Sequence, residues 1–182
     1  EDILKQFGLQ KPEKLFPARP MFETLSKVVR REQHQELLDA IVKSPTPLII
    51  EADGGVGKSI VALELAKSLP GKSVGLTYDC FGAGTYRNPN MPRHLASILL
   101  TELGNELFER GLCQLMLPMT GCAIEAFYDA FADRLKVAAA NLHALDPSAL
   151  LVLFIDAADN AAIAADLAKE TCFVEALWRL PL

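Results

Sequence analysis

The residues Glu51-Ala52-Asp53-Gly54-Gly55-Val56-Gly57-Lys58-Ser59 have the types and spacing of a loop that holds phosphate. Glycines let backbone N–H groups turn toward an anion without a Cβ in the way. A helix opening at Lys58 adds the positive end of its dipole. The Lys58 ammonium can reach β- and γ-phosphates, and the Ser59 hydroxyl can ligate Mg2+. The pattern departs from G-x-x-x-x-G-K-[ST] at its first position, which is Ala52. A plain glycine-rich turn between a core strand and a helix would need neither Lys58 nor Ser59. The candidate nucleotide-binding set is therefore Asp53, Gly54, Gly55, Val56, Gly57, Lys58, Ser59 and Ile60.

A second chemical group stands far along the chain. The apolar run 149–155 ends in Asp156. An uninterrupted run of this kind suits a strand buried on both faces of a parallel sheet. Its terminal carboxylate then lies at the ligand edge, where it can hold Mg2+, usually through water, opposite Ser59. Asp159 can orient or polarise an attacking water, or it can cap a helix over 160–169. Lys58, Asp156 and Asp159 form the candidate catalytic set, and Ser59 and Asp156 the candidate metal ligands. Residues 78–87 form a polar, glycine-rich loop after another strand. Ligands of open α/β sheets sit beyond the carboxyl ends of strands. Asp79 and Arg87 can face a nucleotide from there, or simply belong to a connecting loop.

These groups need strands and helices to position them. Strands are expected at 47–50, 73–79 and 149–156. Helices are expected up to about Lys43, over 58–69, through Leu95, Leu99, Leu103 and Leu107, and over 122–145. Pro92 suits the first turn of the third of these, and Gly111 its C′ stop. The last carries an apolar stripe of Ile124, Phe127, Phe131, Leu135, Ala138, Leu142 and Leu145, which reads as packing surface. Residues 1–9 read as a short helix and 11–20, with Pro12, Pro17 and Pro20, as an extended linker.

The chain has 182 residues, enough for one domain, and 51% of them are apolar. Its net charge of −5, without a long basic stretch, carries no nucleic-acid signal. The longest apolar run, 149–155, is too short to span a bilayer, and residues 1–20 lack the regions of a signal peptide. Cys80, Cys113, Cys122 and Cys172 show no C-x-x-C spacing, and His34, His94 and His143 are scattered. A zinc site is not expected. Buried or half-buried free thiols in a reducing cytoplasm fit this usage.

Val28-Val29-Arg30-Arg31-Glu32, some twenty residues ahead of the glycine loop, can place a base-binding segment over a nucleotide, or can be a solvated basic turn before an amphipathic helix. With the glycine loop and the segment from Asp156, it resembles the STAND class of P-loop NTPases, which includes NACHT and plant-resistance-type ATPases. Gly54-Gly55-Val56-Gly57-Lys58-Ser59 resembles the class's G-G-x-G-K-[ST] loop, its Walker A motif. Val28-Val29-Arg30-Arg31-Glu32 resembles its upstream two-hydrophobics-Gly-Arg-Glu segment, with Arg30 in place of Gly and Arg31 as the nucleotide-contacting arginine. Asp156-Ala157-Ala158-Asp159-Asn160 resembles the NACHT Walker B form D-G-x-D-E, with Asn160 in place of the final Glu. The likeness covers residues 28–182, and is greatest to large bacterial STAND proteins linked to anti-phage defence.

The resemblance implies an α/β fold: a three-layer α/β/α P-loop NTPase with a parallel sheet ordered five, one, four, three, two. Only strands one, two and three are visible, so the expectation is an incomplete, C-terminally truncated NTPase domain at 28–182, behind a helix and linker at 1–27. It implies ATP or ADP and Mg2+ as cofactors, other domains of a larger chain as partners, and homo-oligomers on activation. Replacement of a catalytic Glu by Asn160 points to slow hydrolysis, and so to a nucleotide-controlled switch. A P-loop kinase or metabolic ATPase, with an acceptor site near 79–93, is the enzyme alternative. A non-catalytic interaction module is the other. No N-K-x-D motif for reading guanine is present, which favours ATP.

Overall fold

The structure is a computed structural model, and it describes residues 33–117, 119 and 121–179. The expected helix at 1–9, the proline-rich linker and the 28–32 segment with Arg31 lie outside the described residues. The elements are α1 (Gln33–Lys43), α2 (Lys58–Ser68), β1 (Val74–Asp79), a 3-10 segment (Gly82–Arg87), α3 (Ala96–Glu109), α4 (Ile124–Leu145), β2 (Leu151–Asp156), α5 (Ala158–Ala168) and a final 3-10 segment (Phe173–Arg179).

β1 and β2 pair in parallel, in a register that sets Val74 against Leu151 and Asp79 against Asp156. A parallel pair needs a long crossover, and α3 and α4 supply it. Alternation along β1 sorts its side chains between two layers. Leu76 and Tyr78 enter the main core with Leu99, Leu103, Phe131 and Phe173. Gly75 faces the other way, toward α2. A Cβ there would stand 2.8 Å from the Ala66 Cα, so the helix lies close against the strand only because position 75 is glycine. Helices thus cover both faces of a sheet that, among the described residues, has two strands.

The strand expected at 47–50 is not formed. These residues are without regular structure and exposed, Ile49 by 75%. A strand exists only where its backbone finds a partner, and the described sheet stops at β2. For the same reason β2 departs from the expected burial on both faces: residues 151–155 are only half-buried, and full burial is confined to Asp156.

α3 ends as its sequence predicts. Gly111 has φ +72, its N–H donates to the Phe108 carbonyl, and the Leu112 N–H donates to the Leu107 carbonyl; together these make a Schellman motif. Its start differs from expectation: Pro92 stands in a turn ahead of the helix, which begins at Ala96. On α4 the stripe from Phe127 to Leu142 is buried, but its ends, Ile124 and Leu145, are exposed. The stripe outruns the helix it packs against. Cys80 and Cys172 are buried and Cys113 is half-buried, whereas Cys122 is exposed, contrary to the expected burial of all four thiols. Among the described residues no helix is long and apolar enough to cross a membrane.

Candidate functional site

Loop 51–57 leads into α2 without regular structure, through a turn at residues 54–55. Gly55 (φ +77) and Gly57 (φ +94) adopt left-handed backbone, which a side chain would strain. A Cβ built on Gly54, Gly55 or Gly57 would meet nothing within 4 Å, so the loop stands over open space. α2 opens at its foot: the Val61 N–H donates to the Gly57 carbonyl at 3.0 Å. The first N–H groups of a helix have no intrahelical acceptor, and no acidic residue in the first turn of α2 offsets its positive end. Lys58 bends back over the loop and donates to the carbonyls of Ala52 (2.6 Å) and Asp53 (3.0 Å).

The two distant motifs meet. The Ser59 hydroxyl donates to the Asp156 carboxylate, Oγ to Oδ2, at 2.7 Å. Asp156 is 7% exposed at the carboxyl end of β2. Burial pushes its carboxyl above the ordinary aspartate range; the Ser59 hydrogen bond opposes the shift, the Asp79 charge adds to it, Lys58 opposes it and Asp159 adds to it. The cluster thus concentrates negative charge beside one lysine and a helix N-terminus. Among the described residues no group of three or more His, Cys, Asp or Glu is placed to hold a metal ion by itself. A cation here would rest on Ser59, Asp156 and oxygens of its ligand. That donor set suits Mg2+, which takes one or two carboxylates and completes its shell with water and phosphate.

Asp79 shares the last rung of the ladder with Asp156, but its carboxylate is committed to its own loop. Its Oδ1 accepts from the N–H groups of Phe81 (2.9 Å) and Gly82 (3.0 Å). The Cys80 N–H donates to the Asp156 carbonyl at 3.1 Å, so this loop is rooted at the same edge as the candidate metal ligand. Burial holds the Cys80 thiol well above its usual value, which keeps it an inert core group. Asp159 is exposed in the first turn of α5. It does not cap that helix: the N-cap is Ala157, with no side-chain cap bond. The carboxylate is left facing solvent three residues beyond Asp156.

Sequence reasoning placed Lys58, Ser59, Asp156 and the loop glycines, which the structure brings together. Asp53, Val56 and Ile60 are carried by the same loop and helix turn, Asp53 through its carbonyl. It missed Ala157, which takes left-handed backbone (φ 55) immediately after the carboxylate. The signal available was an alanine at the glycine position of D-G-x-D-E. Compared with known proteins, the chain matches no protein-family model and no curated protein.

Two outcomes follow from this geometry. Ala157→Gly removes a left-handed alanine, and should raise unfolding free energy by about 1 kcal/mol in urea denaturation. Asp156→Asn should stabilise the metal-free protein at pH 7. A carboxyl raised in the folded state contributes stability that is complete at low pH and is lost as pH rises from the ordinary aspartate range through the folded value. Denaturation in EDTA from pH 4 to 7 should therefore show the gap in favour of asparagine widening with pH.

Proposed function

We propose that this chain binds ATP with Mg2+ at residues 52–60 and hydrolyses it slowly, as the switch module of a larger STAND-type, NACHT-like signalling or defence protein. The observation that carries the reading is the 2.7 Å hydrogen bond between Ser59 and Asp156, 97 residues apart. A glycine turn and an aspartate-ended strand are each common. Their meeting through the two side chains suited to one Mg2+ is what a nucleotide site requires. When bound, Mg2+ neutralises charge on β- and γ-phosphate oxygens.

The chain's own residues would divide the remaining work. Lys58 leaves the carbonyls of Ala52 and Asp53 for phosphate oxygens, and the first turn of α2 supplies N–H donors. Asp159, exposed and uncommitted to a cap, orients water. Asn160 cannot accept the proton that a glutamate would, which supports slow turnover and a role for nucleotide as a conformational ligand. Such a ligand shifts a two-state equilibrium by its difference in affinity for the two states. In a sheet ordered five, one, four, three, two, β1 and β2 are strands two and three, which are neighbours, and 47–50 is strand one, which touches neither. The observed pairing and the unpaired 47–50 segment are consistent with that order. Left-handed Ala157 at the glycine position of D-G-x-D-E adds support. An acceptor site at 79–93 fits less well, since Asp79 and Arg93 are buried.

The test is equilibrium binding of ATP and ADP to the purified chain with Mg2+. Wild type should bind both, and Lys58→Ala should weaken binding by about a hundredfold, the loss of a charged contact to phosphate. Absence of uptake by the wild type contradicts the reading.

A further inference from the structure

The loop after β1 is built more rigidly than a connection needs. Asp79 holds the N–H groups of Phe81 and Gly82. The Arg93 guanidinium, 5% exposed, lies beneath it: Nη1 donates to the Asp79 carbonyl at 2.7 Å, and a Cβ on Gly82 would stand 2.6 Å from Nε. The Thr85 hydroxyl donates to the Gly82 carbonyl at 2.7 Å. Three successive residues, Gly82, Ala83 and Gly84, have positive φ, and Ala83 (φ 53) does so with a side chain. Strain of this kind persists where surrounding contacts over-determine it, and it gathers at functional sites.

What this frame presents is Arg87. Its guanidinium stacks over the Tyr86 ring, 5.1 Å from the centroid, and Tyr86 leans in turn on Phe81. Arg87 is exposed, and among the described residues no carboxylate pairs with it. Stacking fixes the face of a guanidinium and leaves its edge N–H groups free for an oxyanion. The loop packs against α5, the helix that carries Asp159. It is rooted beside Asp156, one strand spacing of about 4.8 Å away. That root adjoins the edge where Ser59 and Asp156 meet, and Arg87 closes the 3-10 segment eight residues beyond Asp79.

We propose that Arg87 binds the terminal phosphate of a nucleotide held at residues 54–59 of the same chain. The inference rests on the nucleotide-binding reading above and adds to it a residue that distinguishes triphosphate from diphosphate. The 3-10 segment then acts as the sensing loop of the switch, and Tyr86 as its positioning residue.

The experiment measures affinities of the full chain for Mg-ATP and Mg-ADP in wild type, Lys58→Ala, Arg87→Ala, Arg87→Lys and Tyr86→Leu, with thermal midpoints beside them. Arg87→Ala should weaken ATP binding by about tenfold or more, the loss of a charge-assisted hydrogen bond, while ADP affinity and the midpoint stay at wild-type values. Arg87→Lys should recover part of the loss, and Tyr86→Leu should show a smaller one of the same selectivity. Equal ATP affinity in wild type and Arg87→Ala, or equal losses for ATP and ADP, overturns the assignment while leaving the phosphate site intact, provided that Lys58→Ala loses both nucleotides. If wild type binds neither nucleotide, the site reading itself falls and Arg87's role with it.

Discussion

A hydroxyl and a carboxylate in contact hold this molecule's two halves in register. Ser59 stands in the first turn of α2 and Asp156 ends β2, and their 2.7 Å bond ties the start of the helix to the sheet edge. The other end of α2 is fixed by the absence of a side chain at Gly75, which admits Ala66. Between these two points the helix has little freedom, so the loop ahead of it has little freedom at its foot. A bond that buries a carboxylate also costs stability, because desolvation disfavours the charge. Ionisation of Asp156 is therefore disfavoured where it stands, and the cation of the proposed reading would offset that cost.

The loop sequences divide by how far their chemistry is local. The glycine turn and the helix opening at Lys58 and Ser59 were legible because a strand-side loop of this kind is specified within a few residues. Gly111 was legible for the same reason: a Schellman stop needs only its own turn. Asp156 was legible through the apolar run that precedes it. The fate of residues 47–50 was not, since their apolar character promises a strand and pairing decides whether one forms. Leu48, Ile49 and Ile50 stay exposed because β2 meets β1 on one side and no described strand on the other. Nor could spacing show that Asp79 would be spent on the N–H groups of its own loop, or that Asp159 would leave the cap to Ala157. Both depend on backbone angles after a strand end. Arg87 stood between two readings in the sequence; its stacking on Tyr86 and its exposure favour the ligand-facing one.

The same particulars connect the fold to the proposed switch. A glycine-rich loop that engages its own lysine, the directly bonded Ser59–Asp156 pair and an arginine-bearing loop rooted beside them are the three parts that, on the proposed reading, a nucleotide would rearrange in concert. Lys58 must change acceptors and Ser59 and Asp156 must admit a cation. These moves are small, but they occur at the ends of the two elements on which the rest of the sheet is registered.

The most direct measurement is a double-mutant cycle on Mg2+-dependent ATP affinity, comparing wild type, Ser59→Ala, Asp156→Asn and the double variant with Mg2+ and with EDTA. If the two residues share one cation, they should couple by about 1 kcal/mol or more with Mg2+ present, with the coupling lost in EDTA. Additive effects in Mg2+ would contradict the account, because they would mean that the hydroxyl and the carboxylate touch each other without serving the same ion.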